Sequence, residues 1–269
     1  MIVERFSLFF FISYTHTSGY SNFRHQNRVV GGKEAYLGLA PHVVSFQVKY
    51  PEQTTYMHVC GGVIICNKYI LSAAHCTTHI RRLPKRIKAG IMSLDDEGQT
   101  VEVQSIFDHP YYDEDDIQND ISILKLKKNL QYNDFVSPTR IHAKEMAPNG
   151  TVLLAGWGKT GSKEEPSQKM LYAYIPIVEK EECFRYLAAA GYNVFLHNYL
   201  VCAGALSGGV AVCDGDSGGP IVQNNITLGI VSWSPSPCGA VNTSTAYMPP
   251  SHYVEWIRKR TKDCEPIFV

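Results

Sequence analysis

The chain has 269 residues, 45% hydrophobic and 19% charged, and its formal net charge is zero. That length and balance suit one large domain or two fused halves around a substantial core. They exclude the strongly basic footprint of a nucleic-acid partner, and no stretch is long and apolar enough to read as a transmembrane helix.

In chain order, the first feature is the apolar run Phe6–Ile12, which follows Arg5 and precedes small and polar residues. It reads as the core of a signal peptide over residues 1–19, cleaved near Gly19. From about residue 28 the pattern becomes β-rich. Short segments rich in β-branched or aromatic residues occur at Val43–Tyr50, Gly62–Ile65, Tyr69–Leu71, Thr100–Phe107, Ile121–Leu126, Thr151–Ala155 and Thr227–Trp233. Turn-forming clusters such as Asp95–Gly98 and Pro148–Gly150 separate them, which predicts antiparallel barrels or a sandwich. One helix is predicted, near the C-terminus. There Tyr253, Trp256 and Ile257 share a face, while Arg258, Lys259, Arg260 and Lys262 complement the negative helix end.

Eight cysteines stand at 60, 66, 76, 183, 202, 213, 238 and 264, with no CxxC pair. An even, dispersed set without that spacing argues for disulfides and against zinc. Three sequons, at Asn149, Asn225 and Asn242, add to the case for a secreted, extracellular glycoprotein.

Three segments carry chemistry. Cys213–Pro220 sets Ser217 among Gly215, Gly218 and Gly219. A serine hydroxyl needs a base to become a nucleophile, and a glycine-rich loop aims backbone N–H groups at an oxyanion. His75 stands between Ala73-Ala74 and Cys76 after an apolar strand. Small neighbours let it face a cleft, and a disulfide would fix its backbone. Asp120 opens the apolar strand Ile121–Leu126. A carboxylate there would be costly to bury unless it orients an imidazole.

These segments, with Gly156-Trp157-Gly158, Cys202-Ala203-Gly204 and Ser232-Trp233, resemble the chymotrypsin/trypsin family of serine proteases from about Val29 to Cys264. The resemblance implies an all-β fold of two six-stranded antiparallel β-barrels with a C-terminal helix. The site would lie between the barrels, whose boundary falls near residues 135–150. It also implies that His75 is base and then acid, that Asp120 orients it, and that Ser217 is the nucleophile. Gly215 and Ser217 would supply the oxyanion N–H groups. Ser232, Trp233 and Ser234 would pair with the substrate backbone, although many relatives have glycine at position 234. Ile117 would touch substrate. Arg28-Val29-Val30-Gly31-Gly32 resembles an activation junction. Cleavage after Arg28 would release residues 20–28 from a protease domain spanning 29–269. The new amine at Val29 would pair with Asp216. Ser45 and His58 match positions that hold the equivalent aspartate in some zymogens. The implied disulfides are Cys60–Cys76, Cys183–Cys202 and Cys213–Cys238, with a fourth expected between Cys66 and Cys264.

The resemblance puts the floor of the specificity pocket at Ala211, beside Val212, and the walls at Ser234 and Thr245. With no charge there, cleavage after Lys or Arg is not expected, so activation at Arg28 needs another, trypsin-like protease. Small apolar P1 residues are the first expectation and larger apolar ones the second. A non-catalytic homologue acting as a binding protein is the rival from another class. Expected partners are protein or peptide substrates, the activating protease and protein inhibitors. A monomer is expected, with no metal and no cofactor. The segment Gly90–His109 lacks the paired glutamates of calcium-binding relatives, so Asp95, Asp96 and Glu97 read as a solvated turn. The basic run Arg81–Lys88 and the acidic run Asp113–Asp116 read as solvated loops. An anion-binding exosite and a preference for basic upstream residues are their respective alternatives. Leu187–Val194 reads as a loop near the distal cleft.

Overall fold

The computed structural model describes residues 30–161, 165–192, 198–264 and 266–269. The expected signal peptide, the activation peptide, Arg28 and Val29 lie outside the described residues.

A short strand, β1 (Lys33–Glu34), precedes six that close into a barrel. These are β2 (Val43–Val48), β3 (Met57–Cys66), β4 (Tyr69–Ser72), β5 (Lys85–Ala89), β6 (Gln99–Asp108) and β7 (Ser122–Leu126), ordered β2-β3-β4-β7-β6-β5. Then come β8 (Arg140–Ile141), β9 (Thr151–Gly156), β10 (Leu171–Val178), α1 (Lys180–Ala189) and β11 (Val201–Ala203). The chain ends with β12 (Pro220–Gln223), β13 (Ile226–Trp233), β14 (Thr245–Met248), α2 (Val254–Arg260) and β15 (Ile267–Phe268). The path β12-β9-β10-β11-β14-β13 closes through β12–β13 pairing into a second six-stranded antiparallel barrel. The two-barrel fold expected from the sequence is therefore present. The short strands β8 and β15 add to it in parallel, with Arg140 opposite both Ile226 and Ile267.

Each barrel is filled by inward-facing apolar side chains. Phe46, Ile64, Ile70, Ile87 and Leu124 fill the first, and Val152, Leu154, Leu171, Val231 and Tyr247 the second. A third cluster joins the two, with Leu71, Ile121 and Ile123 packing against Ile230, Met248, Tyr253 and Ile257. Tyr253 ends a 3₁₀ turn, Pro250–Tyr253, that leads into α2. Tyr253, Trp256 and Ile257 face this cluster, as the periodicity predicts. Disulfides join Cys60–Cys76, Cys66–Cys264, Cys183–Cys202 and Cys213–Cys238. Among the described residues no helix is long and apolar enough to cross a membrane.

Two readings of the chain need correction, and one strand, Leu171–Val178, was not foreseen. Lys85–Ala89, read as part of a basic loop, is β5, paired with β2 and β6. The cations of the basic run find partners on neighbouring segments. Arg86 Nε donates to Gln47 Oε1 at 2.8 Å, and its guanidinium lies 4.2 Å from the Tyr56 ring centroid. Lys88 Nζ donates to the Leu94 carbonyl at 2.7 Å, and Arg81 pairs with Asp108. Leu171–Val178 is a strand despite Pro176, which a strand reading disfavours. Leu187–Ala189, read as loop, is the last turn of α1, held by buried Cys183 and Leu187 at i and i+4. Tyr192 follows it, and Val194 lies outside the described residues.

Candidate active site

His75 follows β4 beyond Ala73 and Ala74, both fully buried, and the Cys60–Cys76 disulfide ties its neighbour to β3. Asp120 stands just before β7 with no exposure. Its Oδ1 accepts the His75 backbone N–H at 2.9 Å, and its Oδ2 accepts His75 Nδ1–H at 2.8 Å and the Ser232 hydroxyl at 2.5 Å. Three donors offset the cost of burying this charge. Burial pushes the Asp120 carboxyl up, but the hydrogen bonds and charge of His75 and the Ser232 hydroxyl together hold it below its ordinary value. For His75, burial pushes the imidazole down. The hydrogen bond and charge of Asp120, aided by Glu114, outweigh this and raise it. With Nδ1 donating to Asp120, Nε2 is the bare, basic nitrogen, on a ring 32% exposed.

Ser217 reaches the same region through the backbone. Its carbonyl accepts the Gly61 N–H at 2.8 Å, one residue from the disulfide that pins the neighbour of His75. Among the described residues no hydrogen bond joins Ser217 to His75, and neither the Gly215 nor the Ser217 N–H donates to a backbone carbonyl. Gly215 has φ 96°, and its carbonyl is held by His58 Nε2 at 3.0 Å. Burial pushes His58 down to about 4, so it is neutral and carries its proton on Nε2. Its Nδ1 then accepts the Ser45 hydroxyl at 2.8 Å, and Gln47 Nε2 donates to Ser45 at 3.2 Å. In this structure His58 thus holds the loop before Ser217 through Gly215 rather than through Asp216.

The Asp216 carboxylate is 2% exposed and accepts N–H groups from Gly158 at 2.8 Å and Cys213 at 3.1 Å. Burial pushes its carboxyl up to about 6, with the charge of Asp214 adding and the two N–H bonds opposing. A Cβ on Gly156 or Gly158 would come within 2.3 Å of this carboxylate, which accounts for glycine on both sides of Trp157. Nearby, Val30 bridges to Ala211, whose N–H donates to the Val30 carbonyl at 3.2 Å.

Ser217 opens onto a cavity of about 320 Å³ that Val212, Asp214, Trp233 and Ser234 also line. Thr245 is 2% exposed, and its hydroxyl donates to Ser234 Oγ at 3.2 Å. Ala211, Thr245 and Ile117 are not among the cavity's walls. Asp214, to which sequence reasoning assigned no role, stands at the cavity rim with Lys159 Nζ 3.2 Å away. Gly61 also escaped it, because its partner Ser217 is distant in sequence, and so did Gln47, which reaches the site only through Ser45 and His58.

Cys60, His75 and Cys76 are the one group among the described residues whose atoms converge as metal ligands would. Both sulfurs are in a disulfide, so no thiolate is on offer. The acidic run folds into a turn in which Asp113 Oδ1 accepts the N–H groups of Asp115 and Asp116, while Glu114 pairs with His79 at 2.7 Å. Asp96 likewise caps its own turn by accepting the Met92 and Ser93 N–H groups. Asn149, Asn225 and Asn242 are all exposed.

Residues 29–257 match the family model described as Trypsin. The chain is 30% identical over 239 residues to "Trypsin 5G1" of Aedes aegypti, covering 88% of this chain and 86% of that protein. It is 29% identical over 247 residues to "Kallikrein 1-related peptidase b11" of Mus musculus, covering 87% and 89%. It is 33% identical over 263 residues to "CLIP domain-containing serine protease HP8" of Bombyx mori, covering 87% and 69%.

Proposed function

The chain belongs to the trypsin family of serine endopeptidases, and from that premise we propose that it is a secreted zymogen that, once cleaved after Arg28, cuts peptide bonds after small apolar residues. The observation that carries the catalytic reading is the carboxylate of Asp120, buried and hydrogen-bonded to His75 Nδ1–H and Ser232. His75 Nε2 takes the Ser217 proton as Oγ attacks the scissile carbonyl, and Asp120 stabilises the imidazolium. The N–H groups of Gly215 and Ser217 receive the oxyanion. His75 then protonates the leaving amine, and water returns through the same steps to release the acid product.

The small-residue preference rests on the Thr245–Ser234 hydroxyl bridge and on the absence of Ala211 and Thr245 from the cavity lining. No charge stands on Ala211 or Val212 to meet Lys or Arg. The activation reading rests on Asp216, a buried carboxylate served by two N–H groups and by no side-chain cation among the described residues. A new α-amino group at Val29 supplies that cation only after cleavage, which makes the pair a switch. A trypsin-like protease performs the cleavage, and protein inhibitors are further partners. Four disulfides and three exposed sequons favour an oxidising, secretory route.

The test is to cleave the zymogen after Arg28 with trypsin, remove the trypsin, and profile a library varied at P1, with Ser217→Ala as control. Cleavage after Ala or Val, absent from the control, is expected. Thr245→Gly should shift preference toward Phe, Tyr or Leu by about 10- to 100-fold. Activity after Phe or Tyr in the parent would refute the pocket reading. Activity equal to the control, with Val29 confirmed as the terminus, would refute catalysis.

A further inference from the structure

Asp120 is preceded by residues in a backbone conformation that side chains avoid. Ile117 has φ 53° and Asn119 has φ 52°. Such conformations cost free energy and persist where surrounding contacts over-determine them. The Asn119 carbonyl accepts the Ile121 N–H at 2.7 Å, so a tight turn is centred on Asp120 itself. Whatever fixes Asn119 therefore fixes the direction in which the Asp120 carboxylate leaves the chain.

Three groups fix it. The Asn119 N–H donates to the Tyr199 hydroxyl at 3.0 Å, and Asn119 Nδ2 donates to the Tyr111 carbonyl at 2.9 Å. Asn119 Oδ1 accepts from the Tyr253 hydroxyl at a longer 3.4 Å. Tyr111 belongs to the first-barrel half, as Asn119 does. Tyr199 lies just before β11 of the second barrel, 80 residues away. Tyr199 is itself held in place. Its ring stacks on His252 with centroids 4.5 Å apart and planes 8° from parallel, and meets Tyr253 edge-on. His252 is paired with Glu145. Tyr199 also borders a separate cavity of about 340 Å³, which Leu200 and Pro249 line as well.

We propose that Tyr199 is a positioning residue for the triad: its hydroxyl accepts the Asn119 N–H and so holds the turn that presents the Asp120 carboxylate to His75. The inference rests on the catalytic reading of His75, Asp120 and Ser217. It adds a clamp by which the second barrel sets the aim of a first-barrel carboxylate. The hydroxyl also satisfies a backbone donor that lacks any other acceptor among the described residues.

Tyr199→Phe tests this, because it keeps the ring on His252 and removes only the oxygen. In the matured full chain, kcat should fall about fivefold with KM nearly unchanged, the effect of one hydrogen bond. The His75 ring, followed by NMR through its Nδ1–H signal, should titrate at lower pH than in the parent, since a loosened Asp120 holds the imidazolium less well. The acid limb of kcat/KM should move the same way. An unchanged His75 titration would overturn the proposal, whether or not kcat fell, because a merely structural role would leave the imidazole alone. Repeating the titration in the Ser217→Ala background reads the same shift without turnover. An inactive parent would then count against the catalytic reading alone. Should Tyr199→Phe fold poorly, Tyr253→Phe tests the same turn through its weaker contact, and a smaller downward shift of His75 is expected.

Discussion

Asp120 is the residue on which most of the site's electrostatics converge. Its carboxylate has no exposure, and among the described residues its donors are His75 twice and Ser232 once. Asp120→Asn should lower kcat by about 10⁴-fold, the cost typical of this triad, because the amide no longer fixes the tautomer that leaves Nε2 basic. Circular dichroism should show the fold unchanged. The pH dependence follows from the same contact. On the proposed mechanism His75 must be neutral to accept the Ser217 proton, and Asp120 raises the pH at which it gives its own proton up. Activity should therefore be lost as pH falls through a value above that of an ordinary imidazole. A profile of kcat/KM against pH checks this, and an acid limb below the ordinary value would contradict the ion-pair geometry.

Among the elements, the loop Cys213–Pro220 leaves little freedom at Gly218. Gly218 has φ 77°, and a Cβ there would lie 2.2 Å from Ser72 Oγ and 2.8 Å from the Gly61 carbonyl. Gly218→Ala should abolish turnover and lower the melting temperature, since neither the backbone angle nor the space admits a side chain. At the other end of the chain, α2 is followed by a polar staple. Asp263 accepts from the Tyr69 hydroxyl and from Lys125 Nζ at 2.9 Å, with Lys68 at 3.3 Å, beside the Cys66–Cys264 bridge. The Tyr69 hydroxyl and the two ammonium groups hold its carboxyl well below the ordinary range. A depressed carboxyl contributes stability above its unfolded value and loses it as pH falls through its folded one. At 44% exposure the contribution is screened and modest. Asp263→Asn should lower the melting temperature by about 2–4 °C near neutral pH, and acid should narrow the gap from the parent.

At the scale of the whole molecule, the two barrels meet along two apolar clusters among the described residues, and polar contacts across that seam set the site. Ser232 and Tyr199 of the second half reach Asp120 and Asn119 of the first. All three sequons lie on the second half, at the exposed positions Asn149, Asn225 and Asn242. Protein made through a secretory route should lose the mass of up to three glycans on enzymatic deglycosylation and show no free thiols before reduction. Removing the sequon at Asn225 is best done with Asn225→Gln. The alternative site of change, Thr227, is 2% exposed, and its hydroxyl shares a 2.7 Å hydrogen bond with Thr139. Thr227→Val would strand that partner at a cost of about 1–3 kcal/mol.

The sequence by itself determined whatever depends on neighbours along the chain. The glycine pattern around Ser217, the small residues before His75, and the acid at the head of an apolar strand are local demands of backbone and side chain. They made the fold and the candidate triad legible. Several strands escaped notice, most of them only two to four residues long, and two of them carry a local signal that misleads. Pro176 interrupts β10, and β5 is mostly cationic until Gln47 on an adjacent strand receives Arg86 from 39 residues away. Only the tertiary structure decided that Thr245 bridges to Ser234 beside the cavity, that His58 holds Gly215, and that Tyr199 receives the Asn119 N–H. These contacts form between segments brought together by barrel closure and barrel packing, and a hydrogen bond is fixed by position in space rather than by spacing in the chain.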